Sequence, residues 1–177
     1  STQKFQDFEF NSLYANPNLP NFGTARTIEF AMDVPSMISG GIAIRPSDAV
    51  RFAADVRYIT YSSTAGFDEA GFDQTGAVLG FGWDDIMVYA AGLEIEAADG
   101  LFLRGGYNYS QNPVPDEQSF FNVPAPAIVQ HHATLGLGFE ATDDFRVDLE
   151  YYRAFENEID GPVWGPTGPI PTSSVKS

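Results

Sequence analysis

The sequence predicts an all-β protein, an antiparallel transmembrane β-barrel of which this chain supplies about six full strands. Three observations carry that expectation. Long runs alternate apolar and polar residues with the period of two that a strand imposes. The connections between runs alternate strictly between short turns and long loops. The runs, at about 10–14 residues, exceed the five or six usual in globular strands and suit tilted strands crossing a hydrocarbon layer.

The first hairpin begins with MISGGIAIR, which places Ile38, Gly40, Ile42 and Ile44 on one face. Pro46, Ser47 and Asp48 are expected to form a tight turn. The return run AVRFAADVRYITYS, Ala49 to Ser62, sets Val50, Phe52, Ala54, Val56 and Tyr58 against Arg51, Asp55 and Arg57. The second hairpin is DDIMVYAAGLEIEA, a turn at Ala98-Asp99-Gly100, and LFLRGGYNYSQ, where Leu101, Leu103, Tyr107 and Tyr109 alternate with Arg104, Asn108 and Ser110. In the third, Ala133, Leu135, Leu137 and Phe139 oppose His132, Thr134 and Glu140. A turn at Thr142-Asp143-Asp144 leads to Phe145, Val147, Leu149 and Tyr151 opposing Arg146, Asp148 and Glu150.

The long connections, residues 63 to 83 and 112 to 130, are rich in Gly, Pro, Ser, Asp and aromatics. Membrane barrels show this asymmetry, with short periplasmic turns and longer outer loops. Tyr58, Tyr61, Trp83, Tyr89, Tyr107, Tyr109, Tyr151 and Tyr152 gather toward the long-loop ends, where an interfacial girdle is expected. Residues 1–36 read as loop and strand ends, with QKFQDFEF as the top of an earlier strand and TIEFAMDV as a short strand before Pro35. Residues 37–156 hold the three hairpins, and 157–177 read as an extracellular loop or tail, the whole chain being one domain. The alternation by itself fits a small soluble barrel with an apolar inside equally well; strand length decides for the membrane.

Composition narrows the function. The 177 residues carry 24 acidic and 9 basic side chains, a formal charge of −15, which supplies no footprint for nucleic acid. The carboxylates read as a solvated acidic surface, with divalent-cation loops as the alternative. The absence of cysteine excludes disulfides, thiolate zinc sites and thiol nucleophiles. No stretch approaches the about 20 apolar residues of a spanning helix, which says nothing against a barrel. Ser1 opens neither a signal peptide nor a translation start, so the chain is expected to be mature, processed or truncated.

Four segments then occur in order: RPSDAVRFAADVRYITYS, FGWDD, LRGGYNYSQNPVP and FFNVPAPAIVQHHATLGLGF. Together, from about Asp33 to Gly161, they resemble the FadL family of outer-membrane transport proteins, which includes long-chain fatty acid and aromatic hydrocarbon transporters. The segment most like the family runs from Asn122 to Gly136, with an Asn, the Ala125-Pro126 pair, a His and Thr-x-Gly. The resemblance implies a fourteen-stranded barrel plugged by an N-terminal hatch, of which this chain is the C-terminal portion without hatch, early strands or closing strand. It further implies passive uptake of hydrophobic small molecules across the outer membrane of a Gram-negative cell. Outer-membrane lipid and lipopolysaccharide are the expected surroundings, another outer-membrane protein is allowed as a partner, and no cofactor is expected. The competing reading is a structural or adhesive surface barrel that binds a partner through its long acidic loops.

Candidate site residues follow from the chemistry of such a cargo. An inward Arg can pair with a ligand carboxylate and loop aromatics can capture an acyl chain, which singles out Arg57, Arg104, Phe120 and Phe121. The competing reading is that the inward arginines pair with Asp55, Glu94 or Glu140 and stiffen the wall. No catalytic residue and no metal ligand is expected. His131 and His132, as strand neighbours, point to opposite faces and lack coordinating geometry or a nucleophile motif. Asp84 and Asp85, beside Trp83 at a strand entrance, suit a turn or girdle role better than acid-base work. The Gly-rich stretches GFGW and GLGFG are followed by no helix start and make no phosphate cradle.

Overall fold

A computed structural model describes residues 3–124, 126–142, 144–165, 168–170 and 175–176, with the side chains of 3–6 and 175–176 outside the description. Eight long strands organise it: β1 (Gln3–Leu13), β2 (Ala25–Val34), β3 (Ser36–Ser47), β4 (Val50–Thr60), β5 (Ile86–Ala98), β6 (Leu101–Ser110), β7 (His131–Thr142) and β8 (Phe145–Ala154). Strands β3 to β8 pair in chain order as one six-stranded antiparallel meander, the six strands of the expected hairpins. One helical turn, α1 (Ser119–Asn122), follows a 3-10 turn at Asp116–Gln118.

The register sorts the side chains of this sheet into two faces of opposite polarity. Opposed pairs such as Phe52↔Leu93, Leu103↔Leu137 and Leu137↔Leu149 make one face apolar from β3 to β8. The other face carries Arg51↔Glu94, Glu94↔Arg104 and Glu140↔Arg146. The apolar face is the uncovered one: Ile38 is 75% exposed and Leu135 and Leu149 are each 64% exposed. The buried apolar core among the described residues, Val114, Ile128 and Ile159 with Trp83 against it, lies in the loops and not behind the sheet. A water-soluble sheet of this size would hide that face, since contiguous exposed apolar surface on soluble monomers is limited to a few hundred Å². The charged face encloses an open trough of about 720 Å³ reached by all six strands, from Ala43 on β3 to Glu150 on β8. The sheet therefore curves with its charges inside and its apolar side chains outside, the orientation of a membrane barrel wall.

The turns repeat one plan. Two of them are two residues long, at 48–49 and 99–100, and the third lies between Thr142 and Phe145, with Asp143 outside the described residues. Beside each, the register slips by one residue on the strand entering the turn, between Ile44 and Ser47, Glu96 and Ala98, and Glu140 and Thr142. Pro46 and Ser47 consequently lie in the strand at such a bulge, which tolerates a residue without an N–H, and not in the turn proper.

Where strand ends were expected in residues 1–36, β1 and β2 pair over their whole lengths, from Gln3↔Val34 to Leu13↔Ala25. They form a sheet of their own. Val34 leads through Pro35 straight into Ser36, whose partner Thr60 is the last residue of β4 at the long-loop end. The hairpin thus extends the wall beyond that end, which explains both the full strands and their resemblance to strand tops. The long connection 61–85 lies against it, through Asp33 N–H to the Ala65 carbonyl (3.1 Å) and Ala15 N–H to the Thr75 carbonyl (3.2 Å). Gly66 permits this approach: it sits at φ +86°, and a side-chain Cβ there would meet the Ala31 carbonyl oxygen at 2.8 Å.

The two faces make opposite demands on a new charge. Leu135→Arg, on the apolar face, should destabilise the full-length protein in a bilayer by about 2–4 kcal/mol, whereas Ala53→Lys, facing the trough, should change stability by less than about 1 kcal/mol. Urea unfolding in lipid vesicles reads the difference; equal effects would place lipid on the wrong face.

Candidate functional site

The trough wall is tied by charges. Arg51 Nη1 reaches Glu94 Oε1 at 3.0 Å, and Glu94 Oε2 accepts from Arg104 Nε at 2.6 Å. Arg104 Nη1 continues to Asp148 Oδ1 at 2.6 Å, and Asp148 is held by Arg146, which also reaches Glu140 at 3.0 Å. These six side chains come from β4, β5, β6, β7 and β8 and form one ladder near the short-turn end. Its longest step needs a gap, because Arg104 is on β6 and Asp148 on β8. Gly138 of β7 supplies it: a Cβ there would stand 2.7 Å from Asp148 Oδ1 and 2.9 Å from Arg104 Nη1. The Phe102 ring floors the ladder, with the Arg146 guanidinium 4.8 Å and the Arg104 guanidinium 5.7 Å from its centroid.

Arg104 is accordingly engaged by two carboxylates, Glu94 as the competing reading anticipated and Asp148 beyond it. Arg57 differs. It faces the trough side higher on β4, opposite Ser39 and Val88, is exposed, and makes no ion pair among the described residues, with Asp55 included. His131 and His132 do point to opposite faces. His131 shares a hydrogen bond with the Tyr107 hydroxyl on the apolar side, and His132 stacks on Tyr152 at 5.5 Å on the other. Tyr152 is thus turned inward, and Tyr61 and Trp83 belong to the loops, so the girdle of the sheet is Tyr58, Tyr89, Tyr107, Tyr109 and Tyr151.

The long loops form a bonded cap. Tyr61, Phe67, Phe81 and Trp83 pack as one aromatic cluster, with centroid separations from 4.9 Å for Tyr61–Trp83 and Phe67–Trp83 to 5.9 Å for Phe81–Trp83. Burial raises the Tyr61 hydroxyl above its ordinary pKa. Asn122, 0% exposed, joins this cluster to the connection 111–130. Its side-chain oxygen accepts from Trp83 Nε1, and its amide donates to the Phe81 and Gln118 carbonyls at 2.9 Å each. Asp85 accepts from the Tyr58 hydroxyl at 2.6 Å and from Ser62 N–H at 2.9 Å, and these bonds, Tyr58's first, hold its carboxyl below the usual range. Asp84 donates its backbone N–H to the Pro113 carbonyl at 2.8 Å. Both therefore work as loop anchors. The segment after β8 packs on the same cap through Ile159 and through Trp164 Nε1, which donates to the Glu117 carbonyl at 2.9 Å.

Between the β1–β2 hairpin and the connection 61–85 an apolar groove of about 460 Å³ opens, lined by Phe8, Phe10, Ile28, Phe30, Met32, Val78 and Phe81. The sequence carries its signal in the alternation of Ile28, Phe30 and Met32 and of Phe8 with Phe10. Phe120 and Phe121, expected to be the capturing loop aromatics, lie outside this groove. Of those two, Phe121 is buried against Phe72 (5.4 Å) and Trp164 (5.6 Å), and Phe120, half-buried, lies edge-on against it. The groove's floor is fixed by Asp73, whose carboxylate takes bonds from Thr75 N–H (2.8 Å), the Thr75 hydroxyl (2.7 Å) and Ala77 N–H (2.8 Å). Arg26 adds a bond to the Thr75 hydroxyl. Partial burial opposes ionisation of Asp73, but these bonds and Arg26 outweigh it, leaving its pKa below the ordinary 3.8.

Comparison with known proteins agrees with this geometry. A family model described as "Outer membrane protein transport protein (OMPP1/FadL/TodX)" matches residues 8–160. The fold is similar to the Pseudomonas putida toluene transporter TodX, with a TM-score of 0.55 and 21% identity over 78% of this chain and 33% of that one. It is similar to a Pseudomonas aeruginosa FadL homologue, with a TM-score of 0.63 and 18% identity over 88% of this chain and 35% of that one. A deltaS2 mutant of the TodX monoaromatic hydrocarbon channel matches with a TM-score of 0.54 and 22% identity, over 78% and 35%. The chain thus spans about a third of the length of these solved structures. No curated protein sequence matches it.

Two outcomes follow. Gly138→Ala should displace the ladder's longest step and cost about 1 kcal/mol, and the double variant with Asp148→Ala should lose less than the sum of the two single losses, because both remove the Arg104–Asp148 contact while Asp148→Ala also removes the Arg146 pair; additive losses in a double-mutant cycle would refute the gap. Because the folded-state pKa of Asp73 is depressed, its contribution is complete above 3.8 and is lost as pH falls through its lower folded value. Pepsin cleavage within residues 61–85 should therefore rise steeply as pH drops below about 4, and Asp73→Asn should show raised cleavage across the whole range.

Proposed function

Because the chain belongs to the OMPP1/FadL/TodX family of outer-membrane transport proteins, we propose that it forms part of the wall and outer entrance of a channel for passive uptake of hydrophobic small molecules, such as long-chain fatty acids or aromatic hydrocarbons. The single observation that carries this reading is the apolar groove at the loop end, set directly beyond a wall whose inner face is polar. Apolar compounds are dilute in water, and a groove of phenylalanines held open by bonded loops collects them where the wall begins. The cargo named for the TodX transporter, toluene, is of this class.

The arginines take separate parts. Arg57, exposed toward the trough side and flanked by Val88 across the strand, is placed to pair with the carboxylate of an acidic cargo. Arg104 is occupied by Glu94 and Asp148 and serves the wall. Phe120 offers an aromatic contact at the cap, and Phe121 braces it from beneath. No bond of the cargo is made or broken in this scheme, and no cofactor is required.

Uptake into proteoliposomes by the full-length protein tests both parts. Phe30→Asp should lower binding and uptake of toluene and of a fatty acid alike by about tenfold, since a charge replaces apolar contact in the groove. Arg57→Ala should weaken the fatty acid and leave toluene unchanged. Uptake unaffected by Phe30→Asp would overturn the groove as the entrance. Loss of binding to another surface protein with uptake intact, on deleting the loops, would support the adhesive reading instead.

A further inference from the structure

We propose that the rim of the apolar face around Arg153 is a binding site for a phosphate-bearing lipid headgroup of the outer leaflet. The inference rests on the membrane orientation of the sheet and is independent of which cargo the channel takes.

The register of β8 puts Phe145, Val147, Leu149, Tyr151 and Arg153 on the lipid side, opposite in phase to Arg146 and Asp148 of the inner ladder. Arg153 is the one charged side chain on the apolar face of β3 to β8 among the described residues. A charge on the lipid face is costly at the midplane and tolerated near an interface. Arg153 stands one residue from the end of β8, at the long-loop rim and level with the tyrosine girdle, where headgroups lie.

Its neighbours suit an anion. Arg153 pairs across the ladder with Ala133, so His131, two residues along β7, lies beside it on the same face. Phe155 N–H donates to the His131 carbonyl at 2.9 Å, closing the corner. The Arg153 guanidinium sits 5.4 Å from the centroid of the Phe155 ring, which orients its donors while leaving them unspent. It makes no ion pair among the described residues, in a chain with a formal charge of −15 and with Glu156 and Glu158 close by in sequence. His131 spends Nδ1 on the Tyr107 hydroxyl and is exposed, leaving Nε2 for an outside partner. A planar guanidinium with an imidazole beside it, facing lipid at headgroup height, matches the recognition of a phosphate monoester.

The experiment uses the full-length protein in a neutral detergent, titrated with bisphosphorylated lipid A and followed by native mass spectrometry. Wild type should retain lipid A. Arg153→Ala should weaken retention about tenfold, Arg153→Lys should keep part of it, and His131→Ala should weaken it less than Arg153→Ala. Dephosphorylated lipid A should bind poorly to all forms, and inorganic phosphate at equal concentration should not compete. Retention unchanged in Arg153→Ala, equal binding of the dephosphorylated lipid, or displacement by inorganic phosphate would each overturn the proposal. Heat-modifiable gel mobility confirms that each variant is folded, and toluene uptake, which this site does not touch, separates its failure from failure of the channel reading.

Discussion

Backbone amides in hydrocarbon have no water to bond, and this constraint governs the rest of the structure. It forces every spanning segment into a ladder with both neighbours, so the strands must be long, paired in register and ordered by simple hairpins, as β3 to β8 are. It reverses the usual polarity, because the medium outside is as apolar as a core. The stabilising apolar surface of the sheet is accordingly its exposed one, and the buried apolar cluster among the described residues, Val114, Ile128 and Ile159, belongs to the loop cap.

That reversal leaves the interior to polar groups, and the molecule arranges them in two ways. Near the turns they satisfy one another, in a ladder that lets Arg104 reach across β7 only because Gly138 has no side chain. Toward the loops Arg57 makes no ion pair among the described residues. Individual ion pairs at such exposure contribute little to stability; what the ladder fixes is the relative position of five strands. The cap answers a separate need. It is irregular backbone outside the bilayer, and its order comes from the Asn122 amide and the Trp83 aromatic cluster joining two long connections.

Strand content and facing were legible in the sequence because a period of two is local and each hairpin repeats it. Which face meets lipid was not decided by alternation, since Val147 and Arg146 alternate equally well in either barrel; curvature toward the charged side settles it. The β1–β2 pairing was harder to read. Pro35 interrupts the pattern, and the strand partner of Gln3 lies 31 residues on, at Val34. The site was least legible. Glu94 opposite Arg104 follows from hairpin register, but Asp148 reaching the same guanidinium depends on a missing side chain on an intervening strand. The groove depends on a loop folding back on a hairpin, which no local spacing announces.

The slipped residue beside each short turn has a consequence for how such walls vary. Antiparallel partners share a side, and the bulge sets two residues of the entering strand against one of the leaving strand, so Glu96 still meets Phe102 and Glu140 still meets Arg146 on the inner side. Each hairpin therefore enters and leaves the sheet with its lipid side unchanged. A unit with that property can be duplicated or excised whole without inverting any strand beyond it, whereas a single-residue insertion inside a strand turns the remainder of that strand over.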